Sequence, residues 1–438
     1  MYSFKELISA IYEGRLDASL KLLYAIDDAA GLAAARERAA LTAKGLMEAY
    51  PRDASAPAAL FSAPGRTELG GNHTDHQHGS VLCGAVNVDM LCCASQNGLD
   101  RIRITSRGYE AVDISLRELE VRLEEMNSPA ALVRGVAAAV KQRGYTLCGF
   151  DAYVVSDVPA GSGLSSSAAF EVLIGNIFNH FCCQGKLSPC DIARAGQYAE
   201  NLYFGKPSGL MDQMASALGG ITAISFEDPD EPAVKRIEYD ITASGHVLCI
   251  VDTGFSHRDA QRDYGAVTGE MAAVAKDLGG KVLADVERDA LYEALPGVRC
   301  RCGDRAALRA MHFFGEDRRA KEQAKALEEG EFGRFLALVN ESGLSSALKL
   351  QNIWSPAEPS YQPVSVALAV GAELLEGSGA IRVHGGGFGG TIQAFVPNDR
   401  ADAFKKGMEA LLGKGACRML KIRPVGGCMV AKDGPYVL

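Results

Sequence analysis

Three stretches of this chain combine glycine with short polar side chains in patterns that can do chemistry. The first, APGRTELGGNHTDHQHG (residues 63–79), places Arg66 after a Pro-Gly step and follows it with Gly70-Gly71 and the polar run Asn72, His73, Asp75, His76 and His78. Dense short polar groups on a stiff backbone suit a hydroxyl-rich ligand, which several hydrogen bonds must orient. Three histidines and an aspartate in six residues also admit a metal site, though without the i, i+4 spacing of H-E-x-x-H. A solvated glycine-rich loop is the third reading. The second stretch, DVPAGSGLSSSAAFEV (residues 157–172), runs from a β-type segment through a Gly/Ser loop into a helix. Glycine lets backbone approach an anion, hydroxyls add donors, and the helix N-terminus adds oriented N–H groups. That describes a phosphate cradle, against the blander reading of a linker or simple helix cap. It has neither the lysine of a G-x-x-x-x-G-K-[ST] loop nor G-x-G-x-x-G spacing. The third, RVHGGGFGGTIQAFV (residues 382–396), has five glycines around Phe388. It fits close backbone approach to a ligand or another loop, or a tight corner between strands.

These loops need a scaffold, and the intervening sequence supplies one. Phe4, Leu7, Ile8, Ile11 and Tyr12 recur at helical spacing, an Ala-rich run continues over 29–50, and Pro51 ends it. The opening segment, residues 1–57, therefore reads as a helical extension or outer layer without a catalytic pattern. From 58 to 105 the pattern becomes β-rich, and 81–95 (VLCGAVNVDMLCCAS) suits a buried strand. A helix is predicted over 128–144, a strand over 150–156 and a helix over 166–181. The stretch 226–235 (FEDPDEPAVK), with two prolines and four acids, reads as a domain boundary. This gives an N-terminal domain over 58–228 and a C-terminal one over 229–438. In the latter, a strand near 247–252, helices near 260–278 and 306–330, and strands on either side of 385–390 are expected.

Composition sets the outer limits. The chain has 438 residues, 47% apolar and 23% charged, as in an ordinary globular protein. Its 45 basic and 54 acidic residues give a net charge of −9, which argues against a nucleic-acid partner. The 12 cysteines are scattered without paired C-x-x-C motifs, and the first residues carry charges throughout. Reduced thiols in the cytoplasm, with no signal peptide and no membrane span, are the expectation. Glycine is the outlier: of 48 residues, eleven fall within 63–79, 159–169 and 382–391.

In this order the blocks resemble the galactokinase branch of the GHMP small-molecule kinases. Residues 63–79 resemble the signature G-R-x-N-L-I-G-E-H-T-D-Y, residues 159–168 the P-x-x-x-G-L-S-S-S-A motif, and 385–390 the G-G-G-F-G-G motif. A fourth stretch, AENLYFGKPSGLMDQ (residues 199–213), is similar to the family segment A-E-x-x-F-x-G-x-P-C-G-I-M-D-Q. The resemblance implies an α/β N-terminal domain of ribosomal-S5-like kind and a ferredoxin-like α+β C-terminal domain, with the active site in the cleft between them. It also implies transfer of the ATP γ-phosphate to the anomeric hydroxyl of galactose or a related sugar, with Mg²⁺, by a monomer or weak homodimer. A GHMP kinase for another sugar or alcohol, and a non-catalytic sugar sensor that keeps the fold, are the alternatives.

Carried over residue by residue, the resemblance makes Asp212 the catalytic carboxylate that accepts or orients the sugar hydroxyl. Arg66 becomes the cation that lowers its pKa and steadies the moving phosphoryl charge. Gly161, Ser162, Gly163, Leu164, Ser165, Ser166 and Ser167 would cradle the triphosphate, and Glu200 with the hydroxyl of Ser167 or Ser166 would hold Mg²⁺. Asn72, His73, Asp75, Gly209 and Tyr264 fall on sugar-contacting positions, while His76 and His78 read as loop residues. The chain departs from the signature with Glu68 for Asn, Gly70 for Ile, Asn72 for Glu, His76 for Tyr and His384 for Thr. An amide at 72 both donates and accepts where a carboxylate only accepts, so a shift in sugar selectivity is expected there.

Overall fold

A computed structural model of the chain describes residues 2–159, 161, 163–206, 208–254, 261–431 and 434; Ser162 lies outside them. Long runs of small and β-branched residues build the first sheet. It contains β1 (Tyr2–Ser3), β2 (Pro57–Gly70), β3 (Ser80–Gln96), β4 (Arg101–Ser106), β5 (Val112–Ser115), β6 (Phe150–Ser156), β7 (Ile221–Ser225) and β8 (Ala233–Ile237). The central pair is β2 and β3, antiparallel from Ala59↔Ala94 to Gly70↔Leu82. The two halves of β3 take different further partners, β7 at its start and β6 at its end. Side chains alternate along these strands. Ala59, Phe61 and Ala63 face a core shared with helices Pro129–Gln142 and Ser166–Phe181, while Ala58 and Leu60 face the N-terminal helices. With both faces covered, the strands read as unbroken apolar runs.

A second, all-antiparallel sheet follows the order β10–β11–β9–β12, built from β9 (His246–Asp252), β10 (Ala380–His384), β11 (Thr391–Pro397) and β12 (Cys417–Leu420). Its two faces also alternate. Cys249 and Val251 pack in a core with helices Pro363–Leu375 and Ala401–Leu412, and Leu248 and Ile250 join the larger core with Phe335 and Phe395. The predicted elements at 128–144, 150–156, 166–181, 247–252 and 306–330 all appear within a few residues of their expected ends.

The structure differs from the sequence reading in three places. Arg66 sits on β2 and not in a loop; register shifts between Pro64 and Arg66 and between Glu68 and Gly70 let the strand absorb its proline and glycines. The stretch at 226–235 turns a hairpin: Ser225 pairs with Ala233, so the chain leaves the first sheet only after Ile237. The last strand, β13 (Cys428–Val430), also returns to pair with β2, so the boundary expected at 228/229 does not separate the sheets. The opening helices form the outer layer expected, but they are docked by a core of their own that includes Leu60, Leu91, Cys93, Cys428 and Val430. Arg38 from this layer pairs with the fully buried Asp89 of β3 at 2.5 Å. All twelve cysteines are free thiols. Among the described residues no helix is long and apolar enough to cross a membrane.

Candidate active site

Arg66 leaves β2 beside the start of helix Met211–Leu218 and meets Asp212 there in a two-pronged contact. Nε donates to Oδ1 at 2.6 Å and Nη2 to Oδ2 at 2.9 Å. The remaining arm, Nη1, donates to the carbonyl of Gly163, and the Arg66 N–H donates to the Leu164 carbonyl at 3.1 Å. One guanidinium therefore fixes both the carboxylate and the Gly/Ser loop. Burial would raise the Asp212 pKa, but the Arg66 charge and its paired hydrogen bonds outweigh it and hold the carboxyl at about 2. Ser165 also donates to Asp212 through Oγ. Its backbone is left-handed (φ 56°) and its side chain does not cap helix Ser166–Phe181. The Ser165 side chain therefore takes none of the first N–H groups of that helix, the arrangement an anion cradle requires. Gly161 and Gly163 both have positive φ, and a Cβ on Gly163 would lie 2.3 Å from Thr391 Oγ1. The Gly/Ser loop is therefore wedged against the start of β11, next to the third glycine block.

On the other side of the loop, the buried Glu200 is fully engaged. Oε1 accepts from Ser167 Oγ at 2.8 Å and Lys206 Nζ at 2.8 Å, and Oε2 from Ser208 Oγ at 2.6 Å and Gln213 Nε2 at 2.9 Å. Gln213 Nε2 also reaches Glu171 at 2.9 Å. Glu171 is fully buried on helix Ser166–Phe181, and burial, then the Glu200 charge, keeps its pKa well above the usual carboxyl range. Among the described residues no group of three or more His, Cys, Asp or Glu could hold a metal ion. The Glu200–Ser167 pair is a hard oxygen donor set of the kind Mg²⁺ shares with phosphate oxygens.

The polar loop after β2 lies against Asp212 and the third glycine block. Burial, then the charge of Asp212, pushes the Asp75 carboxyl up to about 6. A Cβ on Gly209 would lie 1.7 Å from Asp75 Oδ2, so only glycine leaves this carboxylate its place. His73 is left-handed (φ 59°), and its Nε2–H donates to the Gly386 carbonyl at 2.9 Å. Tyr264, on helix Gln261–Asp277, packs edge-on against Phe388 and donates to the Gly387 carbonyl at 3.0 Å.

Asn72 departs from its expected place as a sugar contact. Its Nδ2 donates to Glu68 Oε1 at 3.0 Å and the Gly385 carbonyl at 2.6 Å. Its Oδ1 accepts from Asn352 at 3.0 Å and Ser346 at 3.4 Å, and the residue is fully buried. Protein partners thus take both donors and both acceptors of the amide. The Glu68 and Asn72 departures noted above are one reciprocal exchange: the carboxylate and amide trade positions and bond to each other. Arg382 completes the pair by binding Glu68.

Comparison with known proteins accords with this geometry. The model for the GHMP kinases N terminal domain matches residues 131–220, and the galactokinase galactose-binding signature matches 47–96. A curated galactokinase from Streptomyces coelicolor is 32% identical over 376 residues, covering 85% of this chain and 94% of that protein. The chain belongs to the galactokinase family. A second galactokinase, from Streptomyces lividans, is 32% identical over 79% of this chain and 83% of its own length. Among solved structures, Lactococcus lactis galactokinase complexed with galactose shares the fold, with a TM-score of 0.75 at 23% identity over 89% of this chain and 99% of that one. The Methanococcus jannaschii mevalonate kinase aligns less well, with a TM-score of 0.59 at 15% identity over 83% and 98% of the two chains. The protein is a kinase of the GHMP type.

Helix Asp304–Glu328, expected as an element, also carries a buried polar stripe toward the loop after β2 that the motifs do not mark. His312 donates to the Asn72 carbonyl at 2.9 Å, Glu316 accepts from the N–H groups of Gly71 (3.3 Å) and Asn72 (3.4 Å), and Gln323 donates to the Leu69 carbonyl at 3.4 Å. The signal was present as polar residues at 312, 316, 319 and 323, one helical face. Lys206, Ser208, Gln213 and Glu171 were also missed.

The raised pKa of Glu171 gives a stability test. The folded chain keeps this proton to higher pH than the unfolded chain, which releases it above about pH 4.3, so rising pH costs wild-type stability up to about 1.4 kcal/mol per unit. Urea melts of wild type and Glu171→Gln at pH 5 and pH 8 should show the variant gaining relative stability with pH. Parallel behaviour would mean that Glu171 is ionised in the fold.

Proposed function

We propose that this protein is an ATP-dependent sugar 1-kinase, transferring the γ-phosphate to the anomeric hydroxyl of galactose or a close relative. The observation that carries the reading is the position of Asp212. The carboxylate lies between the uncapped helix start with Ser165 and Ser167 and the polar loop with Asp75 and His73. Arg66 binds it from behind. A phosphate acceptor bound to the loop would meet a donor bound at the helix start across this one carboxylate.

In this reading the N–H groups of Ser166 and Ser167 and the loop 161–165 bind the phosphates, and Arg66 offsets charge on the moving phosphoryl group. Asp212 is ionised throughout the working pH range and too weakly basic to strip a hydroxyl in advance. It accepts the hydrogen bond of the anomeric hydroxyl, fixes the in-line angle, and takes the proton as the new P–O bond forms. A loose phosphoryl-transfer transition state asks little more of the nucleophile. Asp75 and His73 hold the sugar, with Tyr264 and Gly209 shaping its surroundings. Glu200 with Ser167 would hold Mg²⁺, which would supply positive charge to offset that of the phosphates. The twelve free thiols agree with work in a reducing compartment such as the cytoplasm.

The direct test is ATP turnover with Mg²⁺ over a panel of hexoses, pentoses and uronic acids, with the position of the new phosphate determined. Galactose 1-phosphate should form, and Asp212→Asn should lose most turnover while keeping ATP affinity. Turnover within about tenfold of wild type, roughly 1.4 kcal/mol of barrier, would refute the role of Asp212. No phosphorylation of any sugar would refute the function.

Asp75 yields a separate pH signature. Its folded pKa is about 6, so a falling pH protonates it and removes an acceptor for a sugar hydroxyl. The kcat/KM for galactose should fall below about pH 6 in wild type, and Asp75→Asn should be low and lack that limb. An identical acid limb in the variant would assign it elsewhere.

A further inference from the structure

The ion pair of Lys206 with Glu200 has no part in the reaction as described, and it bears on how a divalent cation could reach Glu200. This inference rests on the reading of Glu200 as a metal ligand. The four contacts to the Glu200 carboxylate saturate both oxygens, so a cation there must displace one of them. Gln213 is fully buried and tied to Glu171 as well. Ser208 also bonds Asn201 at 3.2 Å, and its N–H donates to the same side chain at 2.8 Å. Ser167 stands on the first turn of helix Ser166–Phe181 and is the expected co-ligand. Lys206 differs from all three: its side chain is 51% exposed while that of Glu200 is 1% exposed, and it alone brings a positive charge. An ammonium and a divalent cation cannot share one carboxylate oxygen without strong repulsion.

The backbone keeps this lysine in reach. The helical segment Ala199–Phe204 ends on left-handed Gly205, and the Lys206 N–H donates to the Glu200 carbonyl at 3.1 Å, which turns the side chain back over its own partner. The neighbouring carboxylate Asp212 is among the charges acting on Lys206. Lys206 Nζ and Ser167 Oγ share Glu200 Oε1, so a freed ammonium would stand beside the first turn of helix Ser166–Phe181.

We propose that Lys206 is a resident counter-ion of Glu200 which the divalent cation must displace, and that the displaced ammonium then binds the phosphates of the nucleotide. Lys206 keeps Glu200 from holding a metal in the nucleotide-free protein. Phosphates draw the lysine off and open the carboxylate, so metal and nucleotide reinforce one another's binding at this site. It is a positioning residue for the metal–nucleotide pair.

The test uses the full chain and two binding readouts that need no turnover. Mn²⁺ binding to nucleotide-free protein is followed by the loss of the free-ion paramagnetic signal, and ATP binding in excess EDTA by calorimetry. Lys206→Met should bind Mn²⁺ about tenfold more tightly than wild type and ATP in EDTA about tenfold more weakly. Lys206→Arg should keep the wild-type ATP affinity. Unchanged or weakened Mn²⁺ binding in Lys206→Met would overturn displacement at Glu200. Unchanged ATP binding in EDTA would overturn the transfer of the ammonium to phosphate. A second variant separates this inference from the reading beneath it. If Glu200→Gln in the Lys206→Met background leaves Mn²⁺ binding intact, Glu200 is no metal ligand and both fall. If Glu200→Gln abolishes binding that Lys206→Met had not tightened, only the role of Lys206 falls. Thermal melts of each variant confirm that folded protein is being compared.

Discussion

The Arg66–Asp212 contact is the constraint on which the site depends. Arg66 is rooted in the bulged stretch of β2, Asp212 in the first turn of a helix, and the spare arm of the guanidinium in the Gly163 carbonyl. Three separate elements are thus tied to one planar cation that cannot lose its proton. Removing the cation would leave a half-buried carboxylate without its ion-pair partner and a glycine loop without its anchor. The same contact keeps Asp212 charged, so orientation and not basicity is what the fold supplies to it.

Around that contact the protein buries an unusual amount of polar chemistry and satisfies most of it. The loop at 71–73 is held from outside by His312 and Glu316, and from the far lobe by the Gly385 and Gly386 carbonyls. His384 Nε2 accepts from the Glu68 N–H at 3.2 Å, and Gln393 donates to the Glu68 carbonyl at 2.9 Å. The bonds involving His384, Gly385, Gly386 and Gln393 join the first sheet or its loop to the second sheet or its glycine loop, while those of His312 and Glu316 come from helix Asp304–Glu328. Buried donors and acceptors tolerate little displacement before they become unpaired. The two sheets are therefore held at a register that brings the phosphate-type loop and the polar loop to opposite sides of Asp212. Glycine excess follows from the same geometry: Gly163, Gly209 and Gly386 lie where a Cβ would strike Thr391, Asp75 or Tyr264.

Much of this was legible in the sequence. Glycine and hydroxyl density marked the loops, and period-2 and period-3.6 patterning marked the strands and helices around them. What stayed hidden was whatever depends on contacts between distant residues. Asn72 could be read only as a polar residue in a ligand loop; that its partners are Glu68, Gly385, Ser346 and Asn352 needs three separate parts of the chain to meet. The stretch at 226–235 has the composition of a linker, and hairpin turns share that composition, so only the pairing of Ser225 with Ala233 distinguishes them. The polar stripe on helix Asp304–Glu328 resembles a solvated face until the loop that covers it is known. Lys206 sits among motif residues but is not one, and its relation to Glu200 comes from the turn at Gly205.

The most direct test of the account is a double-mutant cycle on the central pair, with Arg66→Lys, Asp212→Asn and the double variant compared by kcat/KM for galactose at saturating ATP and Mg²⁺. If one guanidinium and one carboxylate act as a unit, the double variant should lose no more than the worse single variant, to within about threefold. Losses that multiply would show that the two residues act independently, and would contradict the central place given to their contact.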